Sequence, residues 1–133
     1  MLRRRAARIA EGRNTLGRRG ERVAEKLLRR AGLIVLARNW RGGGGELDRV
    51  FLDGETLIFL EVKTRTSESE DLRHPVAVSQ RRRIRQAAHA FRRRYGVPDR
   101  QARFDLVTVT IGATTEAQWH RDYQRNAAMQ EQR

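Results

Sequence analysis

The sequence predicts a single α/β domain: a mixed central sheet with a strand hairpin at 46–64, flanked by helices at about 15–31 and 79–95. Three observations predict it. Apolar residues recur at helical spacing twice, as Val23, Ala24, Leu27, Leu28 and Ala31, and as Ile84, Ala87, Ala88, Phe91 and Tyr95. Between these stretches, Glu46 to Leu52 and Thr56 to Thr64 are strand-like and bracket Asp53-Gly54, a strong hairpin signal. A length of 133 residues suits one core of modest size.

Residues 1–13 are arginine-rich with little pattern, which predicts a mobile basic arm; a merely solvated tail fits equally well. Thr15 can cap the first helix, and Gly32 ends it. Glu21 lies one heptad before Leu28, at the edge of the apolar stripe. Leu33 to Leu36 reads as a short strand. Asn39, Trp40, Arg41 and the glycines Gly42 to Gly45 predict a flexible loop. No Gly-Lys-Ser/Thr follows the glycines, which excludes a Walker-type phosphate loop. Residues 65–78 predict a polar loop. Ser79 caps the second helix, and Gly96 and Pro98 stop it. Arg103 to Ile111 alternates as a further strand; after Trp119 the chain turns polar and fraying is expected. The domain thus spans 14–123, followed by a polar tail at 124–133, with no internal repeat and no second domain.

Charged residues make up 34%, the formal net charge is +13 and the pI is near 11.6. Such an excess implies a polyanionic partner, with nucleic acid the first candidate and an anionic membrane surface the second. No apolar run is long enough to span a bilayer, and no apolar leader stretch is visible. Cysteine is absent, which excludes a disulfide framework and a thiolate zinc site. These features fit a cytoplasmic protein. Of the 29 basic residues only Lys26 and Lys63 are lysine. Arginine cannot replace a lysine that must lose or share a proton, so Lys63 stands out, whereas Lys26 reads as a plain helix-surface residue.

A two-residue turn at Asp53-Gly54 pairs Leu52 with Glu55, Val50 with Leu57, Asp48 with Phe59 and Glu46 with Glu61. Side chains alternate between faces. One face then carries apolar residues near the turn and Glu46, Asp48, Glu61 and Lys63 at the far end. Asp48 and Glu61 become diagonal neighbours, roughly 7–8 Å apart at the backbone. Directly opposed acids cost stability unless a cation intervenes. Lys63 is one such cation; a divalent metal, magnesium by preference for carboxylate oxygens, is a stronger one. A metal there lowers the pKa of bound water and stabilises charge developing on phosphate. Lys63 is placed to orient the attacking water or to neutralise the phosphoryl group. The alternative is a solvated strand end with a surface ion pair.

These residues also carry a resemblance. Gly17-Arg-Arg-Gly-Glu21, Arg38-Asn39, Gly45-Glu-Leu-Asp48, Leu60-Glu-Val-Lys-Thr-Arg65 and Arg103-Phe-Asp105, in that order, resemble the YraN family of small endonuclease-like bacterial proteins. The resemblance covers about residues 15–123. That family is in turn similar to the restriction-endonuclease-like superfamily, with its PD-(D/E)xK signature, and to the archaeal Holliday-junction resolvases. The resemblance implies a first helix, a three-strand meander, a second helix and a further strand in α/β/α layers. It implies Asp48 and Glu61 as ligands of Mg2+ or Mn2+ and Lys63 as the catalytic lysine. Glu21 matches the acid that the first helix supplies in the resolvases. Gln80 falls where the family often has lysine, and Arg49 where it usually has an apolar residue. The resolvases act as dimers, so a homodimer is an expectation of the resemblance alone.

Arg81, Arg82, Arg83 and Arg85 begin a dense basic cluster with few acids nearby, for which phosphate contact is favoured over a solvated face. Arg41 and Arg65 are read the same way. Trp40 can stack on an unpaired base or serve as a half-buried anchor. His74, His89 and His120 lack ligand spacing and read as surface histidines; Glu25 is expected to face solvent, and Asp105 to pair with an arginine. Two functional readings follow. One is a magnesium-dependent endonuclease hydrolysing DNA phosphodiester bonds, DNA being favoured over RNA and branched or damaged DNA being the candidate substrate. The other is a nucleic-acid-binding module that keeps the nuclease fold with little or no turnover.

Overall fold

Helix α1 (Leu2–Arg30) leads into three strands, β1 (Ile34–Gly42), β2 (Gly45–Asp53) and β3 (Thr56–Thr66), which form an antiparallel meander. Helix α2 (Val78–Arg94) then leads to β4 (Ala102–Ile111), parallel to β3, and β5 (Thr115–His120) closes the far edge. The sheet order is β1-β2-β3-β4-β5. The computed structural model describes residues 2–68 and 78–123, with side chains from Thr15 onward in α1 and from Ser79 onward in α2. Most of the loop expected over 65–78, His74 and the polar tail at 124–133 lie outside the described residues.

The central strand β3 reads Leu57-Ile58-Phe59-Leu60 without alternation because both of its faces are covered. On one face Phe51, Ile58, Leu60, Val107 and Val109 pack with Ala24 and Leu28 of α1. On the other Val50, Leu57, Phe59 and Leu106 pack with Ile84, Ala87, Ala88 and Phe91 of α2. This is the α/β/α layering expected for the chain. Gly20 sits against Thr64, where a Cβ would overlap the threonine hydroxyl. Glycine there lets α1 lie close on β3, one residue from Lys63. No helix among the described residues is long and apolar enough to cross a membrane.

Four local expectations change. The helix expected from residue 15 begins at Leu2, so the stretch read as a basic arm is helical. Arginine, alanine and leucine are strong helix formers and need no apolar stripe to be so. The glycine run is a tight turn rather than a loose loop. Gly42 pairs with Gly45, and Gly43 (φ 61°) and Gly44 (φ 83°) take the left-handed conformation that a two-residue hairpin turn of this kind requires. Strand β5 lies before the point where fraying was expected and was not anticipated as a strand, because only Ala117 and Trp119 in it are apolar; both pack toward the α1 side.

The fourth change is the register of the central hairpin. Asp53 pairs with Thr56 and Leu52 with Leu57, so the turn is Gly54-Glu55, not Asp53-Gly54. Gly54 has φ 59°, and a turn with glycine at its first central position places the pair one residue later. Partners shift by two residues, which preserves every side chain's face. Val50 faces Phe59. The same register, continued, sets Asp48 directly opposite Glu61 and separates Glu46 from it.

Candidate functional site

Regular pairing of β2 with β3 ends at Arg49 and Leu60. Beyond that point the Asp48 side chain takes the place of a backbone acceptor: its Oδ2 accepts the Val62 N–H at 2.8 Å. Its carboxyl group also hydrogen-bonds to that of Glu61. The two acids floor a hollow of about 530 Å³, walled by Arg41 and Glu46 beside the glycine turn and by Gln80 and Arg83 of α2. Gln80 bridges the chemistry. Its Nε2 donates to Glu61 Oε1 at 2.8 Å, while its Oε1 accepts from Lys63 Nζ at 2.9 Å. Lys63 Nζ lies 3.6 Å from Glu61 Oε1.

Burial dominates the electrostatics. It pushes Glu61 up to about 9, with the Asp48 charge adding and Lys63 opposing. It also pushes Asp48 up to about 6, against the Val62 N–H and the bond to Glu61, while the charges of Glu21 and Glu46 push it further. Near neutral pH the pair therefore shares a proton between its oxygens. Two crowded, desolvated carboxylates beside a hollow with room for water suit a hard divalent cation. Magnesium binds through one or two carboxylates and keeps several waters. Among the described residues no group of three or more acids or histidines converges, so of these residues Asp48 and Glu61 are the ones that could hold such an ion.

The glycine turn holds α2 over these acids. A Cβ on Gly45 would overlap the Arg83 carbonyl oxygen, and one on Gly43 would meet the Gln86 carbonyl oxygen at 2.7 Å. Gly45→Ala is expected to push the first turns of α2 outward and to part Gln80 from Glu61. The expected cost is about 1–3 kcal/mol, as in other overpacked sites. It would be read as a lower urea midpoint at unchanged slope; an unchanged midpoint would show that the contact tolerates a methyl group.

The other sequence candidates divide between the two faces of β2. Glu46 lines the hollow, 3.5 Å from Arg41 Nε, and is paired across to β1 rather than opposed to Glu61. Glu21 does not line the hollow. It meets Arg49 Nη1 at 3.2 Å and Asn39 Nδ2 at 3.2 and 3.3 Å, and reaches Asp48 only through its charge. Of the α2 arginines, Arg83 lines the hollow, Arg82 and Arg85 are exposed, and Arg81 is half-buried. Arg65 bonds across the sheet to Thr110 Oγ1 at 3.3 Å. Trp40 is a half-buried anchor, edge-on to Phe91 with ring centroids 5.3 Å apart. His89 is exposed, and His120 lies 3.4 Å from the Thr108 hydroxyl.

Three residues have parts that the sequence did not reveal. Arg49, only 5% exposed, donates to the Asp48 carbonyl oxygen at 2.8 Å and to Glu25 at 3.0 Å. Glu25, expected in solvent, is instead gripped by Arg38 at 2.6 Å as well, and the Arg38 hydrogen bond holds its carboxyl below the usual range. The signals were present: Glu25 follows Glu21 by one helical turn, and Arg49 is the one charge on an apolar face. Asn39, at φ 47°, links the two faces, since its amide nitrogen also reaches Glu46 at 3.4 Å. Asparagine tolerates that left-handed backbone better than most residues.

A family model described as "Uncharacterised protein family UPF0102" matches residues 20–109. A UPF0102 protein of Nitratidesulfovibrio vulgaris is 42% identical over 112 residues, covering 80% of this chain and 81% of its own. One of Solibacter usitatus is 43% identical over 110 residues, covering 79% and 82%. One of Streptomyces griseus is 43% identical over 103 residues, covering 74% and 85%. The matched span begins at Gly20 and ends at Val109, so it holds Glu21, Asp48, Glu61, Lys63 and Gln80 together. By this match and these identities the chain belongs to the UPF0102 family, the YraN family that its motifs resemble.

Proposed function

We propose that this protein binds nucleic acid and hydrolyses its phosphodiester bonds at the Asp48–Glu61 pair, with DNA favoured over RNA and branched or damaged DNA the candidate substrate. One observation supports the reading above others. A buried Glu61, a half-buried Asp48, a lysine and an arginine-walled hollow meet at one end of a sheet in a chain of net charge +13. Asp48 and Glu61 would hold a magnesium or manganese ion, which supplies an acidified water and charge stabilisation at phosphate. Lys63, fixed by Gln80, orients the attacking water or neutralises the phosphoryl oxygens. Arg41 and Arg83 hold neighbouring phosphates at the walls. Water adds to phosphorus, the bond to one sugar oxygen breaks, and the leaving oxygen takes up a proton.

The test is incubation with branched, single-stranded and duplex DNA in the presence of magnesium or manganese. Cleavage is expected for the wild type and not for Asp48→Ala or Lys63→Ala; equal products from all three would overturn the reading. A second reading, a binding module with little turnover, is favoured by Gln80, which ties Lys63 and Glu61 to each other. It predicts salt-dependent binding that survives Asp48→Ala without cleavage.

A further inference from the structure

We propose a second binding site for the phosphate backbone of nucleic acid, on the opposite face of the sheet, where α1 crosses the ends of β4 and β5. It rests on the nucleic-acid reading above. A hollow of about 220 Å³ is lined there by Arg19, Arg22, Val23, Lys26, Ile111 and Thr115. Three of the six are cations and none is an acid. Arg19, Arg22 and Lys26 are spaced to share one helix face, and all three are exposed. Like charges at this spacing destabilise a helix. Among the described side chains of the same helix, the acids Glu21 and Glu25 do not relieve them but turn the other way, to Arg49, Asn39 and Arg38. On β5, Thr115, Ala117 and Trp119 lie on the α1 side, so Glu116 alternates away from the hollow. A cationic concavity left uncompensated by its own helix is suited to backbone phosphates, each of which brings one negative charge.

The position extends the first site. Lys63 pairs with Thr108, and Ile111 lies three residues further along β4, roughly 10 Å at strand rise. Both hollows therefore lie toward the same end of the parallel pair, on its two faces. One straight strand cannot lie on both faces of a sheet, so the ligand either passes around that end or presents two arms. An anionic membrane is the less suited partner. Surface-binding helices combine cations with large apolar anchors, and among the described residues the exposed large apolar side chains, Ile34, Leu36 and Tyr95, lie on β1 and beyond the end of α2.

The experiment compares the wild type with an Arg19→Gln/Arg22→Gln/Lys26→Gln variant and with an Arg30→Gln/Arg100→Gln control that removes exposed charge lining neither hollow. Binding to a duplex and to a four-way junction is measured by fluorescence anisotropy over a range of salt. Each lost phosphate contact lowers the slope of log affinity against log salt by about 0.9. The first variant is expected to lose about 2–3 in slope and the control less than about 1. Circular dichroism and thermal melting should show both folded. Equal slopes for the wild type and the first variant would overturn this site and leave the acid site standing; no binding by the wild type at low salt would overturn both. Loss of binding to phosphatidylglycerol-containing vesicles with nucleic-acid binding unchanged would assign the hollow to a membrane instead.

Discussion

Asp48→Asn is expected to stabilise the metal-free protein and to abolish its response to magnesium. Both acids of the pair bind a proton more tightly in the folded chain than in the unfolded one. Their stabilisation is complete at low pH and is lost as pH rises, to about 6 for Asp48 and onward to about 9 for Glu61. Glu25 runs the other way. Its carboxyl is held low by Arg38, so its contribution is present at neutral pH and is lost on acidification. In EDTA the wild type should therefore lose stability between pH 6 and 9, on the order of a few kcal/mol. If Asp48 and Glu61 hold magnesium as proposed, the ion should restore it, because it would bind only the folded state. In the variant the amide oxygen can still accept the Val62 N–H, and the new NH2 can donate to Glu61. The repulsion is gone, and so is half of the donor pair. Melting temperatures at pH 6 and 9, with EDTA or excess magnesium, check this. A wild type whose melting is flat with pH, or a variant that still responds to magnesium, would contradict it. Under the proposed function, cleavage by the variant should fall by about 10²–10³-fold or more.

Asp105→Ala should cost the most stability of any single change considered. The Asp105 side chain is fully buried and accepts hydrogen bonds from three directions: Arg103 Nε at 3.1 Å, Trp119 Nε1 at 2.9 Å and the Asp122 N–H at 2.9 Å. Removing it leaves a half-buried guanidinium, an indole N–H and a backbone N–H without that acceptor. Breaking a buried ion pair from one side typically costs about 3–5 kcal/mol. Nothing in the unfolded chain compensates for the loss. Asp105→Asn should cost less, since one carbonyl oxygen remains, but its amide hydrogens face the same donors. Urea unfolding measures the whole effect. Hydrogen exchange should show β5 and the turn at Arg121-Asp122 opening first, because Asp105 ties both to β4. A loss below about 1 kcal/mol, the net worth of one ordinary hydrogen bond, would refute this account.

The hairpin shows how much was legible in the sequence and where legibility stopped. Side-chain faces survive an error in the turn as long as the partners shift by an even number. The grouping of Asp48, Glu61 and Lys63 was therefore readable although Asp53-Gly54 was placed one residue early. The helical stripes likewise announced both cores, since only residues that pack need to repeat. What does not repeat was harder to see. Strand β5 carries two apolar residues in six, too few for a pattern, and is held by pairing with β4 and by the Trp119 indole. The partners of Arg49 depend on α1 crossing β2, which no local spacing states. Gln80 could be placed on the inward stripe, yet its bridging depends on how close α2 approaches, and that is set by glycines nearly forty residues away in sequence.

The hydrogen bond from Val62 to Asp48 gives one carboxylate two employments. Oδ2 closes the gap where β2 and β3 part, while the carboxyl group also meets Glu61 and lines the hollow. The chain has thus already frozen the torsions that an incoming ligand would otherwise have to arrest. Binding there need not reorganise this acid; it only has to displace a proton.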